Sequence, residues 1–407
     1  MPRTQSTGME SLGWLAWAWR GFLWFAALVL GTGLTPQVLF WEETMMVARA
    51  NDDTVFVGFG VLNVEVRPGR AVAGFQETIS DCDIALSIGG GAPNAARAYR
   101  QAGGAPSVMG MITGGDVAGN LLADLAVREF PQLRRIATAT STRVSSIVPN
   151  GRRPGATTTW TIRTPIDEAG TVAHVEPWLS HSRRLVLASM TAQHSPLVRR
   201  LMEASSSATC LLLTRSQCED REATFELAKS CALVQLNASE LEAWTGIRGD
   251  VTVGINRLRD RGVNQVIVTD GKRGITAFLD DDWHHQPAFR VEQRGSTSQC
   301  GDITLGTYLA ARDQGHSIRD ALQFAAAAAA MHVARMERQQ RGLDELIEFV
   351  NTTSTRPYAL DSRPALIEVI ERAADVARPL VQPAAYMATG AAGVTLMLAL
   401  ARAAGLA

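Results

Sequence analysis

Short apolar segments alternate with longer helical ones along most of this chain, and this alternation limits its possible folds more than any other feature. Strand-length apolar runs include SVMGMI, LVLASM, TCLLLT and LVQLN, and stretches with apolar residues at helical spacing lie between them. Parallel strands need such crossover helices and are buried on both faces. The pattern therefore predicts an α/β domain whose largely parallel sheet is covered by helices on both sides.

Three parts of this pattern predict the first strand, two of the helices and a small lid. The β-rich run TVFVGFGVLNVEV, which begins at Thr54, predicts one buried first strand. A glycine loop at 89–91 precedes an Ala-rich helix, and a long helix runs on from Gly301. Between Thr142 and Arg163, two short strands flank a polar, glycine-containing turn, which predicts a small β lid.

Composition excludes several classes of protein. Hydrophobic residues make up 46% and charged residues 19% of the 407 residues, which rules out wholesale disorder. A net charge of −1 argues against a nucleic-acid binder that relies on a basic surface. The five cysteines form no C-x-x-C pair and no Cys/His cluster with zinc spacing, so they predict a reducing compartment, the cytoplasm.

The two ends of the chain differ from the middle. Residues 21–41 carry no charge and are long enough to anchor the chain in a membrane, although glycines and a proline weaken their second half. A helix packed on the domain, or an extension absent from the working protein, are the alternatives. We therefore expect an apolar N-terminal extension over 1–50, a main domain over 51–350 and a helical C-terminal extension over 351–407.

The strongest chemical signal is the run GSTSQCGDITLGTYLAA, residues 295–311. A loop ends in Gly301 and Asp302, and a helix begins there. The backbone N–H groups at a helix N-terminus bind anions, and a carboxylate in that place can act as a base beside a bound phosphate. The structural alternative is that Asp302 simply caps the helix.

A second signal is the sequence GGGAPNAARA near the start of the domain. Gly89 and Gly90 lack a Cβ atom and let a ligand approach the backbone closely, and the Asn94 side chain can both donate and accept hydrogen bonds. The alternative is a plain turn between a strand and a helix. The run does not fit a dinucleotide-binding fingerprint, because the third glycine is missing.

Together, these runs resemble the signatures of the PfkB family of carbohydrate kinases, which have the ribokinase-like fold. The late family signature reads D-T-x-G-A-G-D, with another Gly four residues further on. Thr297, Gly301, Asp302 and Gly306 match it, whereas Ser296, Gln299 and Cys300 replace its first Asp, its first Gly and its Ala.

Four weaker matches to the family follow in the expected order. They are Gly60, Asn63 and Glu65 for G-x-x-N-x-D; Gly115, Asp116 and Gly119 for G-D-x-x-G; Asn237 and Glu240 for N-x-x-E; and Thr269, Gly271 and Gly274 for T-x-G-x-x-G. N-x-x-E alone is common by chance and is usually a solvated helix start. The matches cover about three quarters of the chain and leave both ends unexplained.

The resemblance implies a three-layer α/β/α domain with a β lid, phosphorylating a sugar with ATP and Mg²⁺. Asp302 would be the general base, and residues 299–302, with Gln299, Cys300 and Gly301, would form the anion hole. The remaining roles implied are sugar binding by Asn63, Glu65, Gly89, Gly90 and Asn94, nucleotide binding by Asn237, Thr269, Gly271 and Gly274, and a water-mediated Mg²⁺ contact by Glu240. A homodimer through the lid is usual among similar proteins.

Some alternatives stay open at the level of sequence. If position 299 requires φ > 0, Gln299 costs roughly 1 kcal/mol, and its N–H can turn away from the phosphate. The rival hypothesis is therefore a catalytically weak relative that binds a sugar or nucleotide as a sensor or scaffold. Arg163 in the lid, and less strongly Arg143, could bind a substrate carboxylate or phosphate or simply be solvated. Cys300 could be a nucleophile at a helix N-terminus, but we expect a packing role, because its place in the family is usually filled by a small Ala.

Overall fold

The computed structural model of the chain describes nine segments, residues 54–68, 82–105, 107–138, 141–147, 158–160, 167–180, 182–292, 297–334 and 342–355. Its strands are β1 Thr54–Phe59, β2 Val61–Pro68, β3 Cys82–Gly89, β4 Ser107–Gly114, β5 Leu133–Thr138, β6 Arg143–Ile147, β7 Thr158–Trp160, β8 Arg184–Ala188, β9 Ala208–Leu212, β10 Leu233–Asn237, β11 Val266–Thr269, β12 Ile275–Leu279 and β13 Asp282–Gln286. Its α-helices are α1 Gly91–Gln101, α2 Val117–Glu129, α3 Glu168–Leu179, α4 Ser195–Ala204, α5 Arg215–Glu219, α6 Arg221–Ala228, α7 Ala238–Thr245, α8 Val251–Arg259, α9 Cys300–Asp313, α10 Ile318–Val333 and α11 Leu343–Thr352.

The main sheet has nine strands in the order β13-β12-β11-β10-β9-β8-β1-β4-β5. All neighbours from β11 to β5 are parallel, and the β12–β13 hairpin adds an antiparallel edge. Successive side chains of a strand point to opposite faces, so Phe56 of β1 belongs to one core while Val55 and Val57 belong to the other. The predicted three-layer α/β/α architecture is confirmed.

Each face of the sheet has its own hydrophobic core. One core joins the sheet to α1, α9 and α10 through small residues and Tyr99, and the other joins it to α4, α7 and α8 through aliphatic residues and Trp244. The poly-alanine run of α10 lies in the first core, and most of its alanines are buried. Small side chains let α1, α9 and α10 approach closely, and this close packing sets where α1 and α9 begin relative to each other.

A second sheet of four strands, in the order β3-β2-β6-β7, forms the predicted lid. The two short strands expected between Thr142 and Arg163 are β6 and β7, which pair antiparallel, as predicted. The prediction of one long first strand is wrong, because β1 belongs to the main sheet and β2 to the lid. Gly60 separates them: its N–H still bonds to the Ile112 carbonyl at 3.0 Å, and a Cβ there would lie 2.7 Å from Met111.

The strand order places several strand ends together. Strand β1 lies between β8 and β4, so the chain's crossovers run in opposite directions on its two sides. In open α/β sheets, ligands bind outside the carboxyl ends of the strands at such a switch point. Gly60, Ser189, Asn237 and Thr269 end or directly follow β1, β8, β10 and β11, which puts them along this edge.

The terminal extensions lie outside the described residues, including the apolar segment 21–41 that was considered as an anchor. No helix in the described part of the chain is both long and apolar enough to cross a bilayer. At the other end, α11 runs to Thr352, and Thr355 forms an isolated β-bridge with Phe289. The described domain thus continues a few residues past position 350.

The contact between α1 and α9 generates the first prediction. A Cβ atom at Gly306 in α9 would lie 2.1 Å from the Ala95 carbonyl oxygen of α1. Backbone cannot move aside cheaply, so Gly306→Ala is expected to lower the free energy of unfolding by about 2–3 kcal/mol. Denaturant unfolding measures this, with Gly115→Ala as the control, because its Cβ would meet nothing closer than 3.4 Å. Equal stability of the two variants would contradict the close packing.

Candidate active site

The two strongest sequence signals meet in one hydrogen bond. Asn94, in the first turn of α1, donates from Nδ2 to Oδ2 of Asp302, in the first turn of α9, at 2.8 Å. Asn94 is almost fully buried, and Asp302 is half-buried. Both helices begin at the same edge of the sheet, so the glycine loop before α1 and the loop before α9 face each other.

The N-terminus of α9 has an unusual start. Its N-cap is Gln299, whose φ of 74° lies in the left-handed region that non-glycine residues avoid. The first bond of the helix runs from the Ile303 N–H to the Gln299 carbonyl at 2.9 Å. The structural alternative for Asp302, that it caps the helix, is therefore wrong. Its carboxylate faces Asn94 instead.

Sequence reasoning missed a residue that holds this loop. Gln235 of β10 is buried, and its Nε2 donates to the Gly301 carbonyl at 2.6 Å. This bond ties the first turn of α9 to the central sheet. The available signal was a polar residue inside the apolar strand LVQLN, because a buried polar side chain needs a partner.

The Asp302 carboxyl is tuned by its surroundings. Burial raises its pKa to about 6, against the opposing effects of the Asn94 hydrogen bond and of the nearby Arg97 guanidinium. A carboxylate with a pKa near 6 is ionised at neutral pH and is still a competent proton acceptor. General bases are commonly placed in this range.

A cleft of about 630 Å³ connects Asp302 with the strand ends beyond it. Its walls come from α9, α10, the ends of β8 to β11 and the β11–β12 turn. They include Gly91, Ser189, Thr214, Gln235, Asn237, Glu240, Thr269, Gly271, Lys272, Gly274, Thr297, Ser298, Gln299, Cys300, Gly301 and Asp302. A volume of this size accommodates a ligand of nucleotide scale.

The glycine loop forms the end of the site beside the lid. Gly90 has φ of 107°, and a Cβ there would meet the Phe59 carbonyl at 2.2 Å. A Cβ at Gly89 would overlap the amide of Asn63, which is buried against it. Both glycines are therefore required by close backbone approach, and Asn63 lies next to them as the sequence pattern indicates.

The N-x-x-E motif builds the start of α7. Asn237 is the N-cap, its Oδ1 accepts from the Glu240 N–H at 2.9 Å, and Glu240 Oε2 accepts from the Asn237 N–H at 2.8 Å. The motif is thus a capping box, but Glu240 is half-buried in the cleft rather than solvated. Burial, with the Asp302 charge adding to it, raises the Glu240 pKa to about 7.

The T-x-G-x-x-G run forms the turn between β11 and β12. Gly271 and Gly274 have φ of 50° and 99°, and a Cβ at Gly274 would lie 2.1 Å from the Gln286 carbonyl. The turn brings Thr269, Gly271 and Gly274 to the cleft wall together with Lys272, whose side chain is exposed. Lys272, one of only two lysines in the chain, supplies a positive charge at this end.

The cleft's acidic residues fit a cation held mainly by other ligands. Glu240 and Asp302 line the same cleft, and the charge of Asp302 contributes to the raised Glu240 pKa. Two such carboxyls favour a divalent cation, because a cation stabilises the ionised form of both. No group of three or more potential metal-ligating side chains occurs in the described segments. Mg²⁺ would therefore take most of its ligands from water and phosphate.

The remaining predicted residues have diverse positions. Cys300 lines the cleft and donates from Sγ to the Ala329 carbonyl of α10 at 3.9 Å, which agrees with packing. The backbone of Glu65 lies in β2, opposite Ala85 and Ile147. Arg163 and Ser296 lie outside the described residues.

Comparison with known proteins agrees with this geometry. The chain matches the pfkB family carbohydrate kinases over residues 63–344. The deoxyribokinase of Salmonella typhi is 33% identical over 114 residues, which are 26% of this chain. That match spans 37% of the length of the deoxyribokinase. The chain therefore belongs to the pfkB family of carbohydrate kinases.

Solved structures show the same fold. The ribokinase of Arabidopsis thaliana, complexed with ribose and ATP, aligns with a TM-score of 0.57 at 18% identity, over 74% of this chain and 99% of the other. Phosphofructokinase-2 from Escherichia coli, in complex with fructose-6-phosphate, aligns with a TM-score of 0.59 at 17% identity, over 74% and 98%. At these identities the alignments establish the ribokinase-like fold.

The left-handed backbone of Gln299 is expected to lower the stability of the fold. An L-residue in the left-handed region is strained, and glycine is not. Gln299→Gly is therefore expected to be about 1 kcal/mol more stable than Gln299→Ala, which keeps the Cβ atom and the strain. Thermal and denaturant unfolding of both variants measure the difference. If the alanine variant is the more stable one, position 299 does not carry the strain.

Proposed function

We propose that this protein transfers the terminal phosphoryl group of ATP to a hydroxyl of a sugar or sugar derivative, with Asp302 as the general base. The observation that carries the proposal is the 2.8 Å hydrogen bond between Asn94 and Asp302. It joins the loop suited to a sugar with the loop suited to a phosphate. Membership of the pfkB family supports the same reaction class.

Asp302 is placed to accept the proton of the attacking hydroxyl. Asn94 occupies one carboxylate oxygen, Oδ2, and thereby orients the group. The other oxygen, Oδ1, faces the glycine loop, since a Cβ atom at Gly91 would lie 3.2 Å from it. A sugar bound against Gly89 and Gly90 would thus present its hydroxyl to an ionised oxygen.

The first turn of α9 would stabilise the transferring phosphoryl group. The amides of Gly301 and Asp302 precede the first intrahelical hydrogen bond, and both residues line the cleft. The Cys300 N–H is bonded to the Thr297 carbonyl at 3.4 Å. Aligned peptide dipoles add partial positive charge there. The Gln235 bond to the Gly301 carbonyl keeps this turn in place before the substrate arrives.

The far end of the cleft would hold the nucleotide. Thr269, Gly271 and Gly274 form a turn with close backbone access, and Lys272 offers a charge to a phosphate. Mg²⁺, when bound, would neutralise charge on the phosphates. Glu240 and Asn237 would contact it through water, and the catalytic work of the chain is positioning and electrostatics.

A second candidate function rests on Gln299. Its backbone lies in the left-handed region, with φ of 74°, which costs a non-glycine residue stability. A Cβ in the anion loop could still hinder phosphate binding. A catalytically weak protein that binds a sugar or nucleotide as a sensor or scaffold is therefore the alternative to the kinase.

The expected homodimer and the cytoplasmic location stay predictions. On the lid, strand β3 exposes the apolar side chains of Ile84 and Leu86, which are 64% and 42% exposed. An exposed apolar pair on an edge strand favours self-association.

Removal of the base is the direct test of the mechanism. Asp302→Asn keeps the shape and the partner of Asn94 but cannot accept a proton. We expect kcat for phosphorylation of an accepted sugar to fall by about 10²-fold or more. Asp124→Asn, an exposed substitution of the same kind on α2, is the control. Coupled ADP release across a broad panel of sugars, sugar acids and nucleosides measures both.

The stability of Asp302→Asn shows whether a loss of activity comes from lost chemistry or from lost folding. Since the pKa of Asp302 is raised in the folded state, its ionised form costs stability as the pH rises through about 6. A neutral Asn is therefore expected to leave the variant at least as stable as the wild type at pH 8. If the wild type binds ATP but transfers no phosphoryl group to any panel member, the sensor or scaffold function replaces the kinase.

The pH dependence gives a separate prediction. Because only ionised Asp302 accepts a proton, kcat/KM for the sugar, measured at sugar concentrations below KM, is expected to decline below about pH 6, approaching tenfold per pH unit. The residual activity of Asp302→Asn is expected to lack this limb. Initial rates between pH 4.5 and 8, at saturating ATP and Mg²⁺, provide the profile. An acidic limb that persists unchanged in the variant would assign it to another group.

A further inference from the structure

Arg143, the first residue of lid strand β6, is a buried cation whose hydrogen-bonding capacity is mostly unused. The residue is 7% exposed, and its Nη1 donates to the Ser189 carbonyl at 3.0 Å. Nε and Nη2 are buried and have no hydrogen-bond partner among the described residues. The guanidinium lies 3.8 Å from the centre of the Phe59 ring.

Burying a charged guanidinium without partners for two of its nitrogens lowers the stability of the ligand-free protein. Burial lowers the pKa of Arg143 to about 10, which still leaves the side chain charged at neutral pH. Its titratable neighbour is His194, which is buried against Phe59; burial, with the charge of Arg143 adding to it, lowers the His194 pKa to about 4. His194 is therefore neutral and adds no negative charge. Buried charges in proteins are normally paired.

The unused nitrogens form one edge of the guanidinium. Nε and Nη2 lie side by side, and together they donate two parallel hydrogen bonds to a carboxylate or phosphate. Nη1, which is bound to the protein, lies off this edge. The free edge thus has the geometry for bidentate capture of an oxyanion.

The position of Arg143 points to the sugar end of the site. In the parallel pairing of β2 and β6, Val61 is opposite Arg143 and Asn63 is opposite Ser145, so Arg143 and Asn63 share one face of the lid. Ser189, whose carbonyl Arg143 binds, also accepts a hydrogen bond from the Gly91 N–H through its hydroxyl. A Cβ atom at Gly91 would lie 3.2 Å from Asp302 Oδ1.

The backbone beside Arg143 is held in place. Asp116, the N-cap of α2, accepts the Thr142 N–H at 2.8 Å, and the Thr142 hydroxyl accepts the Gly114 N–H at 3.0 Å. The predicted G-D-x-x-G segment thus fixes the start of β6. This preorganisation orients the guanidinium before a ligand binds.

We propose that Arg143 binds an oxyanion carried by the substrate, so that the accepted sugars are sugar acids or sugar phosphates rather than neutral sugars. The inference rests on the proposed function and narrows its substrate class. The carboxylate or phosphate would be bound by the free edge of Arg143, while the hydroxyl to be phosphorylated lies at Asp302. Neither anionic group takes part in the transfer itself.

The test uses sugars that differ only in charge. Glucose is compared with gluconate and glucose 6-phosphate, and ribose with ribonate and ribose 5-phosphate. Each is tested for phosphorylation with ATP and Mg²⁺ and, in the absence of ATP, for binding by calorimetry. The protein is wild type, Arg143→Met, Arg143→Lys or Arg259→Met. Arg259 is the matched control, since it stacks on Phe278 at 3.5 Å but is exposed and lies on α8, away from the site.

We expect the wild type to bind at least one anionic sugar about 10- to 100-fold more tightly than its neutral counterpart, the range of a charge-assisted pair. Arg143→Met is expected to abolish this preference while keeping the thermal unfolding transition and ATP binding of a folded protein. Arg143→Lys is expected to regain part of it, and Arg259→Met to behave as the wild type. Comparison of the sugar acids with the sugar phosphates shows whether Arg143 prefers a carboxylate or a phosphate.

Other outcomes separate the two proposals. If neutral sugars are bound and phosphorylated as well as anionic ones, the role of Arg143 is overturned and the kinase stands. Anion-selective binding lost in Arg143→Met, without any phosphoryl transfer, would retain Arg143 and overturn the kinase. If no anionic sugar is bound in preference to its neutral counterpart, the role of Arg143 is overturned, whatever the activity.

Discussion

The hydrogen bond between Asn94 and Asp302 joins two helix N-termini that come from opposite ends of the domain. It can form only because α1 and α9 pack at short range, with Gly306 against the backbone of Ala95. The same contact brings the glycine loop before α1 opposite the first turn of α9, where the amides of Gly301 and Asp302 precede the first intrahelical hydrogen bond. The proposed acceptor site, the proposed base and the proposed phosphate site therefore all depend on one helix-packing contact.

Several residues of the site lower the stability of the fold. Gln299 and Ser189 have positive φ without being glycine, burial raises the pKa of the Asp302 and Glu240 carboxyls, and Arg143 keeps a buried edge unpaired. Each feature is unfavourable by itself. Gln299, Asp302, Glu240 and Ser189 lie around the carboxyl edge of the main sheet, and Arg143 of the lid bonds to the Ser189 carbonyl there. Such clustering of local conflicts is typical of functional sites.

The sequence predicts the periodic parts of this fold well. Buried parallel strands are continuous apolar runs, so β4, β8, β9 and β10 stand out, and motif order placed Asn94 and Asp302 in one site. Prediction from the sequence fails where tertiary contacts determine the local structure. The division of 54–66 into two strands depends on Gly60 lying against Met111, and β5 and β13 lie at or near sheet edges, where polar residues interrupt the apolar pattern. The roles of Gln235 and Arg143 could not be predicted from the sequence, because they depend on contacts, or on the lack of contacts, with residues that are distant in sequence.

In the proposed reaction, the first turn of α9 receives the transferring phosphoryl group while Asp302 faces the acceptor hydroxyl. A crystal structure with Mg²⁺, ADP, tetrafluoroaluminate and an accepted sugar tests it most directly, since the fluoroaluminate occupies the place of the transferring group. We expect the fluoroaluminate within hydrogen-bonding distance of the amides of Gly301 and Asp302, and the sugar hydroxyl between it and Oδ1 of Asp302. A fluoroaluminate bound elsewhere in the cleft, or an Asp302 carboxylate that does not touch the sugar, would contradict it.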